Sequence, residues 1–284
     1  MTQAAENARG SVAATNGAEA PAIEFRHVSV YFDEVRALAD VSFSVPRGET
    51  LMLLGPTGSG KSVLLKTALG LIKPQEGQVL VDGLDLSPLT EEQIVPLRAK
   101  MGIVFQEGAL FDSLSVFENV AYRLREEGRW DEDFIAERVK QVLEFVEMGP
   151  AIEKMPSELS GGMRRRVSIA RAIANRPGIM LYDSPTAGLD PVTAHTINLL
   201  ILKLRDEHHA SSIVVTHRLQ DAFFLANFVY VSESRGAEPA RSNGEGGSRA
   251  ATQFIILRKG GIGFSGTEEE LARSTDPYLR KFIA

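Results

Sequence analysis

Residues 50–63 read Thr-Leu-Met-Leu-Leu-Gly-Pro-Thr-Gly-Ser-Gly-Lys-Ser-Val. Residues 51–54 are all apolar, which is typical of a strand buried on both faces, and Gly55 ends the run. Residues 55–62 then fit the pattern G-x-x-x-x-G-K-[ST] of a phosphate-binding P-loop. The stretch therefore predicts a buried strand, a loop that cradles phosphate and a helix, in that order.

The chemistry of phosphate binding explains this spacing. Glycine adopts φ > 0 without a Cβ clash, so Gly58 and Gly60 let the backbone curl until its N–H groups point at phosphate oxygens. The helix predicted over residues 61–69 adds the positive end of its dipole. Lys61 would neutralise the β- and γ-phosphates, and Ser62 Oγ would bind Mg²⁺. The nucleotide-binding residues expected in the loop are Gly55, Pro56, Thr57, Gly58, Ser59, Gly60, Lys61, Ser62 and Val63.

An ordinary Gly-rich turn between a strand and a helix is the alternative interpretation. The fixed positions of the motif match by chance in roughly one chain of this length in a hundred, given average glycine usage near 7%. The predicted strand before the loop and the predicted helix after it make the P-loop the better interpretation.

The composition is that of a soluble globular protein. The chain has 284 residues, 44% hydrophobic and 24% charged, which suits one large domain or a domain with a lobe. Its net charge of −6 gives no reason to expect general affinity for nucleic acid. It contains no cysteine, which excludes disulfides and cysteine metal sites and is compatible with a reducing cytoplasm.

The chain offers no segment that predicts a membrane span. Spanning a bilayer takes about 18–20 consecutive apolar residues, and the best candidate, residues 222–231, is short and contains Asn227. The N-terminus has no charged region followed by an apolar core, so it is not a secretory signal. We expect a soluble chain that would reach a membrane only through a partner.

Alternating strands and helices predict an α/β fold with a mainly parallel sheet. The predicted strands cover residues 23–32, 41–45, 51–54, 78–81, 102–105, 179–182, 212–216, a segment ending at 231, and 254–257. The predicted helices cover residues 61–69, 91–100, 116–125, 133–147, 160–175, 191–207, a segment ending at 226, 267–273 and 277–283.

Composition divides the chain into regions. Residues 1–21 have few large apolar side chains and predict a disordered tail. The main domain should cover residues 22–266, with a helical lobe at about 107–175 inserted between strands. Residues 234–250 are rich in Gly, Ser, Arg and Glu and predict a flexible excursion. Residues 267–284 should form C-terminal helices, the first capped by a threonine with three glutamates after it.

A β subdomain is expected beside the nucleotide, because aromatic residues and a Pro46-Arg47-Gly48 turn precede the P-loop strand. Phe32 is the residue expected to lay its ring on adenine, with Tyr31 as the neighbouring candidate. Strand alternation places only one of the two on that face. A core aromatic is an equally good interpretation of the pattern.

Three polar residues follow predicted strands whose carboxyl ends meet at one edge of a parallel sheet, where ligands bind. Asp183 ends a run of four apolar residues, as the Mg²⁺-holding aspartate of a Walker B segment does. His217 follows residues 212–216, and Gln106 follows residues 102–105. A lone aspartate at a strand end is more often a turn residue, and a lone histidine more often an ordinary one, but the upstream P-loop favours the functional interpretation.

The segment Leu159-Ser160-Gly161-Gly162-Met163 narrows the prediction. With the P-loop, Gln106, the strand ending at Asp183, Asp190 in Ala-Gly-Leu-Asp and His217 in that order, the chain resembles the ATP-binding-cassette (ABC) ATPases over residues 23–270. The resemblance implies the ABC ATPase fold: a mainly parallel sheet, an antiparallel β subdomain and an inserted helical lobe.

The same resemblance implies a head-to-tail dimer of two copies, with ATP held between the P-loop of one and residues 159–163 of the other. The expected nucleotide contacts then include Ser160, Gly161, Gly162, Met163 and Asp190. Gln106, with Ser62 and Asp183, is implied in Mg²⁺ binding, and Gln106 and His217 in catalysis. Read alone, Ser-Gly-Gly would be a helix cap with a flexible turn.

Residues 105–111 and 119–122, with residues 155–163, look like the subgroup that serves phospholipid transporters of the Mla and Mce types. That resemblance implies an integral membrane permease, and possible lipid-carrier subunits, as partners at the cytoplasmic face of the inner membrane. The apolar residues Leu110, Phe111, Leu114 and Phe117 would suit a docking groove, or equally a core.

One position departs from the family pattern. The family has Asp-Glu-Pro-Thr where this chain has Asp183-Ser184-Pro185-Thr186. The glutamate is the general base of the family, and such a base is typically worth ~10²–10⁴ in rate. Three interpretations of Ser184 remain open. Either hydrolysis is slow and ATP binding drives the switching, or His217 and Gln106 position the attacking water well enough. The third is that the residue was substituted in this chain.

Two alternatives come from other classes of protein. The first is a soluble ABC-type nucleotide switch, but such proteins usually carry two cassettes or a coiled-coil insertion. The second is a P-loop kinase, which would leave residues 159–163 without a role. An ABC ATPase for a substrate other than lipid also remains open.

Overall fold

The computed structural model describes residues 20–240 and 252–283. Its strands are β1 (Ile23–Phe32), β2 (Val35–Val45), β3 (Thr50–Leu54), β4 (Glu76–Val81), β5 (Leu84–Asp85), β6 (Met101–Val104), β7 (Ile179–Asp183), β8 (Ser211–Val215), β9 (Phe228–Val231), β10 (Gly236–Pro239), β11 (Thr252–Arg258) and β12 (Gly261–Gly266). Its helices are α1 (Lys61–Ala68), α2 (Glu91–Arg98), α3 (Val116–Glu126), α4 (Glu132–Phe145), α5 (Gly161–Ile173), α6 (Pro191–His208), α7 (Leu219–Asn227), α8 (Glu268–Arg273) and α9 (Pro277–Ile283).

The central sheet has six strands in the order β12-β11-β3-β8-β7-β6, and only the β11–β12 pair is antiparallel. β3 is buried along its whole length because the sheet is covered on both faces. Met52 and Leu54 pack with the helical lobe, whereas Leu51 and Leu53 pack with the β subdomain. The predicted mainly parallel sheet is therefore confirmed.

The β subdomain is a four-stranded antiparallel sheet in the order β2-β1-β4-β5. Its second strand begins at Val35, earlier than the predicted residues 41–45. Register shifts explain the missed part: Val28 lies opposite Val41, but Val30 lies opposite Leu38. These bulges break the period-two alternation on which the sequence prediction depended.

Helices α3, α4 and α5 lie between β6 and β7 and form the helical lobe. Each begins at a polar cap whose side chain accepts a backbone N–H of the first turn, at Ser115, Asp131 and Ser160. The apolar face of α4, from Ile135 to Leu143, is buried in the lobe, as its spacing predicts. Phe134 is the exception, since it is 40% exposed and stacks on Trp130 instead.

The C-terminal part corrects one prediction. Residues 234–250 were expected to be a flexible excursion, but Gly236–Pro239 forms β10, paired antiparallel with β9. The expectation was wrong there because backbone pairing with a neighbouring strand needs little apolar side chain. Residues 241–250 lie outside the described part of the chain, as do residues 1–19 of the predicted tail.

Helices α8 and α9 close the chain. Thr267 and Glu270 form the expected capping box, with N–H···O distances of 2.7 and 3.2 Å. Leu271 and Leu279 attach the two helices to the core. Across residues 20–240 and 252–283, no helix is long and apolar enough to cross a membrane. The proposed division into domains remains a prediction.

Candidate nucleotide-binding site

The P-loop leaves β3 and enters α1 through backbone conformations that favour glycine. Gly60 has φ 103°, and a Cβ there would lie 2.5 Å from the carbonyl oxygen of Ala37. Gly55 has φ 145°, and a Cβ there would lie 2.5 Å from the carbonyl oxygen of Leu257. Gly60 is the N-cap of α1 and brings no side chain to the helix end, so the first N–H groups stay open to an anion.

Lys61 lies folded over the loop. Its Nζ donates to the carbonyl oxygens of Gly55 and Pro56, each at 2.8 Å. Burial lowers the pKa of the Lys61 ammonium, and the Asp183 carboxylate partly offsets that effect. A half-buried ammonium held by two carbonyl oxygens and, at 3.5 Å, by the hydroxyl of Ser59 is well placed to exchange these partners for phosphate oxygens.

Ser62 and Asp183 meet across the site, where the hydroxyl of Ser62 donates to Asp183 Oδ2 at 3.0 Å. Ser62 is at the start of α1, and Asp183 is the last residue of β7, so two different strand–loop units bring them together. A hydroxyl oxygen and a carboxylate oxygen are hard donors of the kind Mg²⁺ prefers. In the described part of the chain, no group of three or more His, Cys, Asp or Glu side chains could hold a metal ion.

These residues border an open cleft of about 630 Å³ at the carboxyl ends of the parallel strands. The predicted site residues along it are Thr57, Gly58, Gly60, Lys61, Ser62, Val63, Gln106, Asp183, Ser184 and His217. Gly55, Pro56 and Ser59 do not line the cleft, but they support it from behind as contacts of Lys61.

The cleft also has lining residues that the sequence did not indicate. Arg36 and Ala37 come from the early part of β2, and Lys259 and Gly260 come from the β11–β12 turn. Ala39 N–H donates to the carbonyl oxygen of Gly260 at 2.9 Å, which holds the two segments together. The early part of β2 was not predicted, and a lysine in a turn is no signal by itself.

Ser184 takes the place of the family glutamate in the wall of the cleft. It is 8% exposed, has φ 49°, and its N–H donates to the carbonyl oxygen of Val215 at 2.9 Å. His217 is exposed beyond β8, and Gln106 is exposed beyond β6. The structure thus brings the three predicted catalytic residues to one cleft.

A buried polar network under this wall was not predicted. Asp221 accepts hydrogen bonds from the hydroxyl of Thr186 at 2.5 Å and from the amide of Asn198 at 2.9 Å. Arg218 Nε is 3.6 Å from the same carboxylate. The network ties the loop after Ser184 to the first turn of α7. An acidic residue next to the apolar segment 222–226 was the available signal.

Residues 159–163 lie away from this cleft. Ser160 and Gly161 are exposed at the start of α5, where Ser160 Oγ accepts the N–H of Met163 at 3.2 Å. The side chain of Met163 packs against the lobe core. A Cβ on Gly162 would lie 2.4 Å from the methyl group of Thr193, so this helix start fits closely against α6.

Asp190 is the N-cap of α6, and its neighbours Leu189 and Thr193 lie against Gly161 and Gly162. It accepts the N–H groups of Val192 and Thr193 at 3.1 and 3.0 Å. Hydrogen bonds from the side chain and then the backbone of Thr193 lower the pKa of its carboxyl group. Asp190 and residues 160–163 do not line the cleft of their own chain.

The two aromatic candidates at the end of β1 differ in their surroundings. Phe32 is 47% exposed and lies opposite Val35, next to the β2 residues that border the cleft. The guanidinium carbon of Arg36 lies 5.6 Å from the ring centre of Tyr31, and the Tyr31 hydroxyl contacts the Glu76 carboxylate. Phe32 does not itself line the cleft, so its contact with adenine stays a prediction.

Comparison with known proteins agrees with this geometry. A family model described as ABC transporter matches residues 38–187. The structure is similar to the dimeric structure of a post-hydrolysis state of the ATP-binding cassette MJ0796 bound to ADP and Pi. The TM-score is 0.72 at 30% identity, over 86% of this chain and 98% of that one.

The related sequences carry more than one substrate in their names. The probable ribonucleotide transport ATP-binding protein mkl of Mycobacterium leprae is 39% identical over 71% of this chain, which spans only 58% of that relative. The intermembrane phospholipid transport system ATP-binding protein MlaF of Haemophilus influenzae is 38% identical over 86% of this chain and 83% of the relative.

Proposed function

The chain belongs to the ABC transporter family and carries an ABC-type ATPase domain, and we propose that it is the ATP-hydrolysing subunit of a transporter that moves phospholipid or a related lipid. ATP closes a head-to-tail dimer of two copies, and hydrolysis reopens it. The proposal rests on the cleft, which Lys61 and the Ser62–Asp183 pair both line. At the start of α1, beside them, backbone N–H groups have no side-chain cap and can bind phosphate.

ATP binds as substrate through the P-loop. Its phosphates replace the carbonyl oxygens of Gly55 and Pro56 as partners of Lys61 Nζ, and the N–H groups at the start of α1 bind the remaining oxygens. Arg36 and Lys259 add positive charge to the same cleft. Phe32 covers the adenine ring.

The donor set also fits Mg²⁺. Ser62 Oγ and Asp183 Oδ2 are 3.0 Å apart, and the Gln106 side chain borders the same space, so these three residues would hold the ion beside the phosphates. When bound, Mg²⁺ neutralises charge on the phosphate oxygens.

The position of residues 159–163 supports a dimer. Ser160 and Gly161 are exposed at the N-terminus of a 13-residue helix, which is a second anion-binding end. They lie outside the cleft of their own chain, so a second copy is needed to receive them. In this arrangement Ser160, Gly161, Gly162, Met163 and Asp190 complete the site of the partner.

Hydrolysis in this chain proceeds without the family carboxylate. Ser184 has no usable basicity near neutral pH, so Gln106 and His217 align the attacking water. Phosphoryl transfer depends mainly on alignment and on stabilisation of charge, which is why turnover is possible. The missing general base makes it slow, by ~10²–10⁴ relative to a glutamate.

A surface on the helical lobe suits a membrane permease. Phe111 and Tyr122 are 43% and 42% exposed and lie 4.8 Å apart between ring centres. Asn119 is fully buried beneath them and fixes the loop through both the N–H and the carbonyl of Phe111, at 2.8 and 3.0 Å. A rigid loop that presents aromatic rings to solvent supports docking of a permease segment.

The lipid substrate rests on the similarity to MlaF, a phospholipid transport protein by name. The similarity to mkl, a ribonucleotide transport protein by name, makes another cargo the second candidate. We place the chain as a peripheral subunit at the cytoplasmic face of the inner membrane, with lipid-carrier subunits as further possible partners and no role for nucleic acid.

The test is ATP hydrolysis by the chain assembled with its permease in liposomes, beside Lys61→Ala and Ser184→Glu. We expect slow turnover by the native chain, loss with Lys61→Ala and a gain of ~10² or more with Ser184→Glu. Movement of fluorescent phospholipid between leaflets or vesicles is measured in parallel. If only Ser184→Glu hydrolyses ATP, the native chain is a nucleotide switch. If hydrolysis responds to another cargo and not to phospholipid, the lipid assignment is wrong.

A further inference from the structure

A second cavity, of about 330 Å³, lies far from the nucleotide cleft. It is enclosed by α4, by the end of α5 and by α6, at the amino ends of β7 and β8. The cleft that holds Asp183 lies at the opposite, carboxyl ends of the same strands. No residue of the proposed nucleotide site borders this second cavity.

The cavity has an apolar floor of a kind that ligand pockets share. Val142 and Phe145 line it from α4, Ile173 from α5, Met180 from β7 and Leu204 from α6. Val142, Ile173, Met180 and Leu204 are buried, and Phe145 is half-buried with Lys203 Nζ 3.9 Å from its ring centre. This floor would hold a short hydrocarbon chain.

The rim of the cavity is basic. Arg138, Arg176 and His208 all border it, and none of the described residues that line it is acidic. Arg138 is held in place by the carbonyl oxygens of Ala174 and Ile173, at 2.8 and 2.9 Å. Arg176 is exposed, and its guanidinium makes no hydrogen bond or ion pair within the described residues. One strong donor therefore stands at the rim without a partner.

These positive groups repel one another. Burial lowers the pKa of Arg138, and the charge of Arg176 lowers it further. Burial lowers the pKa of His208 as well, the Glu207 carboxylate raises it, and Arg138, Arg176 and Lys203 lower it. An anion at the rim would turn this repulsion into attraction, because each charged donor would gain an acceptor.

We propose that this cavity is a binding site for a small anionic amphiphile, with a phosphate head on Arg176 and Arg138 and a short apolar chain on the floor of Val142, Phe145 and Leu204. The ligand would bridge the helical lobe, through α4 and α5, to α6 and the central sheet. The proposal is independent of the lipid assignment, since it concerns a site on the other edge of the sheet.

The test is calorimetric titration of the full chain with decyl phosphate below its aggregation concentration, beside inorganic phosphate and decanol. Two variants probe the site: Arg176→Glu reverses the charge on the rim, and Gly178→Leu fills the cavity. An added Cβ on Gly178 meets no atom within 4 Å, and its φ is not in the left-handed range, so a side chain can begin there without a backbone clash. The control is Arg273→Glu, which makes the same change of charge as Arg176→Glu but at an exposed position on α8.

We expect decyl phosphate to bind one to one and at least tenfold more tightly than either comparison compound. Arg176→Glu and Gly178→Leu should each weaken it tenfold or more, as loss of a charge-assisted contact or of the floor does, and Arg273→Glu should not. Because the P-loop also attracts phosphate, the titration is repeated with Lys61→Ala, in which binding should persist.

Several results would overturn the proposal. These are no saturable binding, equal binding of inorganic phosphate or decanol, loss of binding with Lys61→Ala, or an affinity that Arg176→Glu leaves unchanged. Circular dichroism checks that Gly178→Leu folds. Arg176→Glu alters an exposed side chain and decides the question alone if Gly178→Leu does not fold.

Discussion

The buried carboxylate of Asp221 offers a sharp test of how the wall of the nucleotide cleft is held together. Its side chain is 8% exposed and accepts hydrogen bonds from Thr186 at 2.5 Å and from Asn198 at 2.9 Å. We predict that Asp221→Leu strongly destabilises the protein. The substitution removes two charge-assisted hydrogen bonds and leaves a hydroxyl and an amide buried without an acceptor.

The magnitude follows from those contacts. A hydrogen bond to a charged group contributes ~1.5–3 kcal/mol net, and an unsatisfied buried donor costs ~1–3 kcal/mol. Arg218 adds little, because its guanidinium is 3.6 Å away and 27% exposed. Since these terms overlap, we expect Asp221→Leu to lower the free energy of unfolding by about 3–5 kcal/mol.

Urea unfolding followed by circular dichroism measures the change, and a double-mutant cycle isolates the contact. Thr186→Val alone should cost about 1–2 kcal/mol. The coupling energy between Thr186→Val and Asp221→Asn should be about 1 kcal/mol or more, since the two side chains touch. A loss below about 1 kcal/mol for Asp221→Leu, or additive effects in the cycle, would refute this account of the network.

Four further predictions test the loop, the core, the cleft and a cap. Gly60→Ala should lower ATP affinity at least tenfold in a fluorescent-nucleotide assay, because its Cβ would lie 2.5 Å from the carbonyl of Ala37. Phe254→Ala, in a fully buried position, should lower the free energy of unfolding by about 3–5 kcal/mol in urea. Lys259→Ala should weaken ATP binding severalfold, and less at high salt, by calorimetry. Thr267→Ala should cost about 1 kcal/mol in thermal unfolding, through the lost cap of α8.

The sequence predicted the central fold well where its patterns are local and strong. β3 and β7 each contain a run of four apolar residues bounded by turn signals, and α4 repeats apolar residues at helical spacing, so their positions follow from the local sequence pattern. β12 was missed, because its sequence Gly-Ile-Gly-Phe-Ser-Gly has three glycines and only two apolar residues. It forms because β11 presents a free edge with which a following segment can pair.

In the candidate site, only the residues that belong to sequence motifs or directly follow a predicted strand could be predicted. Lys61, Asp183 and His217 were found because each sits in or just beyond a recognisable strand–loop unit. Arg36 and Lys259 were missed, since they come together only when β2 and the β11–β12 turn fold beside the P-loop. Asp221 was missed for the same reason: its partners are 35 and 23 residues away in the chain.

Ser184 decides how this ATPase can work. Among the described residues along the cleft, Asp183 is the one carboxylate, and its Oδ2 already accepts the hydroxyl of Ser62 at 3.0 Å. Among the described residues that line the cleft, no second carboxylate is therefore left over to take a proton from water.

On the proposed function, turnover depends on alignment by Gln106 and His217, and we expect the dimer closed by ATP to outlast that of a glutamate-bearing relative by the same ~10²–10⁴. We then expect ATP binding to drive closure of the dimer and slow hydrolysis to set the time before it reopens. A native turnover as fast as that of Ser184→Glu would mean that another group activates the water.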